Sequence, residues 1–206
     1  MIKAILFDFD GVLTIDKTGS ASITAYIAQV SGLPLELVRQ CYAPFNKGLL
    51  YEGVRHEEIW PDFCRSVGRK IDYQVLIDSF VHTPLDEHMI RLVRTLKESY
   101  LTGLITDNKA DRINVILEKR QLIDCFDAVA VSANLRCGKD RPEIFEHAMQ
   151  SLQVRPEECV FIDNTAQNLI VPEQLGMKTI LFDDSVRDIS AFEVILRGLL
   201  KENAVQ

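Results

Sequence analysis

The chain opens with Met1-Ile2-Lys3-Ala4-Ile5-Leu6-Phe7-Asp8-Phe9-Asp10-Gly11-Val12-Leu13-Thr14. From Ile2 to Phe7 all residues but Lys3 are apolar, a run of the length and character of a strand buried on both faces of a parallel sheet. It stops at two carboxylates separated by one aromatic residue. Side chains alternate along extended chain, so Asp8 and Asp10 project to the same side as the chain leaves the strand. In such a pair one carboxylate can attack while the other handles protons. Gly11 follows at once and permits a tight turn, or backbone angles closed to other residues, that brings peptide groups close to a bound anion.

Four more short apolar runs lie further along: Leu101 to Ile105, Ala128 to Val131, Cys159 to Ile162 and Thr179 to Phe182. Helical patterns separate them, carried by Ile113, Ile116, Leu117 and Arg120, then Ile144, Phe145, Ala148, Met149 and Leu152, then Ala166, Leu169 and Ile170. Strands alternating with helices predict βαβ units and a parallel α/β sheet. Pro142 suits a first helical position and Gly176 a helix stop, whereas Pro172 must kink its helix or start a new one. The polar residues after the five runs are Asp8, Thr106, Ser132, Asp163 and Asp183. A parallel sheet gathers all of them at its carboxyl edge, where open α/β sheets bind ligands.

Residues 15–85 break the alternation. Their apolar positions recur at helical spacing, at Ile23, Tyr26, Ile27 and Val30, at Ile59, Trp60, Phe63 and Val67, and at Val75, Leu76 and Phe80. The expectation is an α-helical cap inserted into a core built from residues 1–14 and 86–206, with hinges near Asp16 to Ser20 and His82 to Asp86. Trp60 and Phe63 read as cap interior, while Lys47, Tyr51, Arg55 and His56 read as solvated surface groups.

Composition narrows the function. The 206 residues carry 23 Lys and Arg against 30 Asp and Glu, a net charge of −7, which disfavours attraction to nucleic acid or an anionic membrane. An anionic substrate must therefore be held by local groups. The five cysteines are scattered without a CxxC pair and read as reduced cytoplasmic thiols, and no apolar stretch is long enough to span a bilayer. Oligomeric state leaves no mark in the sequence.

Taken singly, the polar residues have ordinary explanations: Asp-x-Asp as a turn, Thr106 as a capping hydroxyl, Lys139 as a solvated lysine, Asp163 as a cap for the helix at Thr165. Their order along the chain is what gives them weight. Asp8 to Thr14 resembles the first motif of the haloacid dehalogenase superfamily. Thr106 in Leu104-Ile105-Thr106-Asp107-Asn108 is similar to the second motif, and Lys139 in Gly138-Lys139-Asp140-Arg141-Pro142-Glu143-Ile144-Phe145 to the third. Phe161-Ile162-Asp163-Asn164, followed by Asn168 and Gly176-Met177, is similar to the fourth. A cap between the first and second motifs resembles the subgroup of sugar-phosphate phosphatases and β-phosphoglucomutase, and Tyr51 to Trp60 looks like that cap's internal signature.

The resemblance implies a Rossmann-like core and a phosphatase acting on a small phosphorylated metabolite, a sugar phosphate among the candidates. It implies Asp8 as nucleophile and Asp10 as acid and base, with Thr106, Asp107 and Lys139 at the phosphate. It also implies Mg2+ held by Asp8, the Asp10 main-chain carbonyl, Asp163 and Asn164. A phosphomutase would keep the same residues, whereas a dehalogenase ordinarily lacks the second aspartate. Two positions depart from the family pattern. Asn164 stands where an aspartate is common, the one feature favouring a non-catalytic phosphate-ester-binding relative, and Asp140-Arg141-Pro142 replaces Pro-Asp-Pro.

Overall fold

The computed structural model describes residues 1–202. Five strands, β1 (Ala4–Phe7), β2 (Leu101–Thr106), β3 (Ala128–Val131), β4 (Cys159–Asp163) and β5 (Lys178–Leu181), form one parallel sheet in the order β3-β2-β1-β4-β5. The strands follow the apolar runs with small shifts. β1 starts at Ala4, β5 lies one residue earlier than its run, and β2 and β4 each include the polar residue at their end.

Between β1 and β2 lie α1 (Gly19–Ser31), α2 (Leu35–Tyr42), α3 (Asn46–Tyr51), α4 (His56–Ser66), α5 (Tyr73–Val81) and α6 (Glu87–Lys97). The later connections hold α7 (Ala110–Lys119), α8 (Ser132–Leu135), α9 (Pro142–Leu152) and α10 (Ile170–Leu175), and α11 (Ile189–Glu202) follows β5. Pro142 is the first residue of α9, and Gly176 ends α10 at φ 94°. The helix expected from Ala166 begins as a 3-10 turn, Ala166–Leu169, and becomes α-helical at Ile170. Pro172 then falls in the first α-turn, where its missing N–H leaves no bond unmade.

Alternation along β1 explains why the sheet is covered on both sides. Ile5 and Phe7 join one buried cluster with residues of α6, α7 and α11, while Ala4 and Leu6 join the other with Ile144, Phe145 and Met149 of α9. The helical insert packs into the first of these clusters, through Ile23 and Ile27 of α1, Phe63 of α4 and Leu76 and Phe80 of α5. Trp60 and Phe63 stack with ring centroids 4.9 Å apart and are buried.

The chain leaves and re-enters the α/β part through a stitched neck. Ile15 N–H donates to the Pro84 carbonyl, Asp86 N–H donates to the Leu13 carbonyl, and Thr14 pairs with Leu85 in an isolated antiparallel bridge. Asp86 caps α6, accepting from the N–H groups of His88 and Met89. Arg187 ties the parts together: Nη1 donates to the Gly11 carbonyl at 2.7 Å, and Nη2 to Val12 at 3.1 Å and to Asp86 Oδ2 at 2.7 Å. Burial opposes ionisation of Asp86, but Arg187 and the capping N–H groups outweigh it and hold the carboxyl below its usual range.

Replacing Arg187 with Met removes the guanidinium donors from a buried carboxylate and two carbonyls, leaving Asp86 only the N–H groups of His88 and Met89. The expected cost is about 2 kcal/mol, seen in thermal unfolding at pH 7 as a fall in Tm of roughly 4–8 °C. Because the folded pKa of Asp86 is depressed, its contribution is present above the unfolded carboxylate value and is lost as pH falls through the folded one. The gap between the variant and the unaltered protein therefore narrows as pH falls through the folded Asp86 value, leaving the share carried by the bonds to the Gly11 and Val12 carbonyls.

Candidate active site

The turn after β1 carries the first two candidates. Asp8 N–H donates to the Ile162 carbonyl, continuing the ladder with β4, after which Leu13 and Thr14 N–H both return to the Phe9 carbonyl in a tight coil. Gly11 sits at φ +83°, and a Cβ there would overlap the Asn164 side chain, so only glycine lets the two strand ends approach this closely. Asp8 and Asp10 both line a cavity of about 420 Å³ at the carboxyl edge of the sheet, together with Thr106, Asp107, Lys139 and Asn164. A more apolar hollow between α6 and α11, lined by Leu92, Leu96, Leu196 and Leu200, contains no strand-end carboxylate.

Lys139 is the centre of the arrangement. Only 2% exposed, it places Nζ 2.9 Å from Asp8 Oδ1 and 2.6 Å from Asp163 Oδ2. Burial works against its charge, but Asp8, Asp163 and Asp107 outweigh burial and raise its pKa above the ordinary lysine value. Asp107 accepts the Lys139 backbone N–H at 3.1 Å, so its carboxylate shapes the lysine loop. Asp163 also accepts from the Thr165 N–H and from Asn168 Nδ2, so it braces the turn leading into the Ala166–Leu169 segment, without capping that segment, while belonging to the ion cluster.

Burial pushes the Asp8 carboxyl up to about 7; Lys139 opposes this, and the neighbouring charges of Asp163 and Asp10 reinforce it. The pocket thus holds more carboxylate than it can comfortably ionise, which a hard cation would relieve. Among the described residues no three His, Cys, Asp or Glu side chains form a metal cluster. The set present is two carboxylates, Asp8 and Asp163, with the Asp10 main-chain carbonyl and the Asn164 amide. That fits Mg2+, which takes one or two carboxylates and otherwise keeps its water. Asn164 Nδ2 donates to Asp184 Oδ2 at 2.8 Å, leaving the amide oxygen as the end able to meet a cation. Asp184 is in turn paired with Lys17 at 2.8 Å.

The strand ends do not all contribute alike. Thr106 Oγ1 accepts from Asn108 Nδ2, and Ser132 Oγ braces the same loop by accepting the Asn108 N–H. Asp183, grouped with them in sequence, instead accepts from the Ser185 and Val186 N–H groups of its own turn, and its neighbour Asp184 is the residue that reaches the site. In the insert, Lys47 and Arg55 are exposed as expected. His56 is not: it is fully buried, with Nε2 2.6 Å from the Tyr42 hydroxyl and Nδ1 2.8 Å from both Asp111 oxygens. Burial lowers its pKa against the pull of Asp111. Tyr51 is half-buried beside Asp107 and Asp140, and burial pushes its hydroxyl up to about 12.

Several residues of the site escaped the motif reading. Lys109 is 3% exposed, its Nζ donates to Ser20 Oγ at 2.7 Å, and Ser20 donates to Asn46 Oδ1 at 2.9 Å. Burial, reinforced by Arg112, brings the Lys109 pKa down to about 7. Arg112 pairs with Asp10 through both arms of its guanidinium. A signal was available for Arg112, because positions 112, 113, 116 and 117 form one buried stripe of α7 at helical spacing, and Lys109 is the residue that precedes the helix.

Comparison with known proteins agrees with this geometry. A family profile described as haloacid dehalogenase-like hydrolase matches residues 2–176. A Mycobacterium tuberculosis phosphatase is 25% identical, with 96% of this chain aligned to 98% of that one, and the Bacillus subtilis β-phosphoglucomutase is 26% identical over 85% and 81%. A haloacid dehalogenase family enzyme of Bacteroides thetaiotaomicron, solved with magnesium and inorganic phosphate, shares the fold at a TM-score of 0.67 and 19% identity, over 90% of this chain and 96% of its own. Profile, strand order and the placing of the four motifs concur: the chain belongs to the haloacid dehalogenase-like hydrolases.

Proposed function

We propose that the protein is a magnesium-dependent phosphatase of small phosphorylated metabolites, working through a phosphorylated Asp8. The observation that carries this reading is the buried cluster in which Lys139 bridges Asp8 and Asp163 beside the Asp10 turn. In it Asp8 attacks phosphorus to form an aspartyl-phosphate, and Asp10 gives a proton to the departing oxygen. Asp10 then takes a proton from the water that attacks the phosphorylated Asp8, so one difficult step becomes two easier ones. Thr106, Lys139 and the main chain at Asp107 hold the non-bridging oxygens; the Asp107 carboxylate, being anionic, helps by orienting the lysine loop. A magnesium ion held by Asp8, the Asp10 carbonyl, Asp163 and Asn164 would offset the repulsion between carboxylate and phosphate.

Residues 15–85 act as the cap over this site, hinged at the stitched neck. The part of the substrate beyond its phosphate meets Ser20, Asn46 and Leu50 from the insert and Lys109 from the start of α7, which all line the same cavity. That largely polar wall suits a hydroxylated compound, and sugar phosphates are the first class to test. The aspartate at position 10 argues against dehalogenation, in which no leaving oxygen needs a proton. A phosphomutase would use the same residues and differ in returning the phosphate to an organic acceptor, so free phosphate in the medium separates the two. The related β-phosphoglucomutase makes that comparison worth running.

Phosphate release from a panel of phosphate esters is expected with magnesium and absent with a chelator, and Asp8→Asn should lower it by about three orders of magnitude or more. No release from any ester by the unaltered protein would sink the phosphatase reading. Metal binding should depend on pH with a definite sign. The raised Asp8 pKa means a proton must leave before the cation is held below about pH 7. Calorimetric titration should show the magnesium Kd weakening about tenfold per unit as pH falls below 7, and levelling above it. Ser20→Ala and Asn46→Ala should raise KM for the preferred metabolite about tenfold, while shifting KM for p-nitrophenyl phosphate about twofold at most.

A further inference from the structure

Arg112 is the largest side chain among the described residues with no solvent exposure. A buried guanidinium is costly unless its donors are met; both Nη groups of this one have specific partners, while its buried Nε has none. Nη2 donates to Asp10 Oδ1 and Nη1 to Asp10 Oδ2, both at 2.9 Å, and Nη1 also donates to Asn108 Oδ1 at 3.0 Å. Asn108, in the loop just ahead of α7, donates from its other end to Asp10 Oδ2 at 2.7 Å. Both Asp10 oxygens are therefore held from two sides of the same loop. The same guanidinium touches the two segments that join the insert to the core. Nη2 lies 3.4 Å from Thr83 Oγ1, and a methyl group at Gly19 would collide with the fork.

We infer that Arg112 is a positioning residue for Asp10, setting the plane and location of the carboxylate that exchanges protons with the leaving oxygen and linking that placement to the seating of the insert. The inference rests on the phosphatase reading above. Bidentate pairing fixes orientation as well as distance, which a lysine, a point charge on a flexible stem, does not reproduce. Over the cycle Asp10 gives one proton to the leaving oxygen and regains one from water, so proton count balances and no other reactant is needed. Arg112 touches neither phosphate nor water in this scheme and works through Asp10.

The test compares leaving groups. An alkoxide needs the proton that Asp10 supplies, whereas p-nitrophenolate leaves with little help. Arg112→Lys is expected to lower kcat for an alkyl phosphate by roughly a hundredfold, to lower kcat for p-nitrophenyl phosphate by less than about tenfold, and to leave KM nearly unchanged. Asp10→Asn should show the same selectivity, and the double variant should be no slower than Asp10→Asn alone, because the two act through one group. Equal losses on both esters, or additive losses in the double variant, would overturn the inference. Should Arg112→Lys fail to fold, Gly19→Ala, which displaces the guanidinium without removing its charge, must give the same selective loss, and unselective kinetics there count against the inference equally. Asp8→Asn separates the two readings. If it abolishes release while the Arg112 and Gly19 variants are unselective, only the positioning role falls; if the unaltered protein releases no phosphate from either ester, both fall.

Discussion

A lysine that water scarcely reaches holds the carboxyl ends of β1 and β4 together. Lys139 has to be charged to bridge Asp8 and Asp163, and those carboxylates have to stay close to it for the charge to survive burial. Neither half is stable alone: without the lysine, two carboxylates would face each other across adjacent strands, and without them a buried ammonium would lose its proton. The surrounding structure serves this mutual dependence. Asp107 aims the lysine loop, Thr165 and Asn168 satisfy the remaining acceptors of Asp163, and Gly11 lets Asn164 close on the β1 turn. The cluster is also chemically unfinished, since burial leaves Asp8 only half willing to ionise, and a cation and a phosphate are the partners that would complete it.

The second organising feature is the start of α7. Lys109, Asp111 and Arg112 each reach a different part of the molecule from one helical turn. Lys109 meets Ser20, Asp111 meets the buried His56 and its N–H, and Arg112 meets Asp10 with Gly19 and Thr83 at its sides. The insert is thereby held to the core by polar groups at the very place where the cavity opens, and by the Tyr42–His56–Asp111 chain behind it. Behind these polar contacts the insert also packs Ile23, Ile27, Phe63, Leu76 and Phe80 into the apolar cluster it shares with α7.

How far the sequence could be read follows from the range of each interaction. β1 to β5, the purely helical insert and the Gly176 stop were legible because burial on two faces, helical periodicity and backbone freedom are local properties. The strand-end candidates Asp8, Thr106 and Asp163 were legible because a parallel sheet sends every carboxyl end to one edge, whereas Lys139, in the loop after α8, was legible only through the family resemblance. Asp183 and Asp184 show the limit: adjacent acids follow the same strand, and only the curl of that loop decides that the second one meets Asn164. His56 shows it again, since a histidine at a helix start looks solvated until Asp111, 55 positions away, closes over it.

The sequence by itself therefore determined the strand segments, the polar residues at their ends and the carboxylate pair after β1, because each depends on neighbours a few residues apart. Which charges face one another was decided only by the tertiary structure. Asp10 and Arg112 are 102 positions apart, and Lys139 and Asp163 are 24. Burial makes such partners obligatory, but it names them only once the helices have packed and water has been excluded.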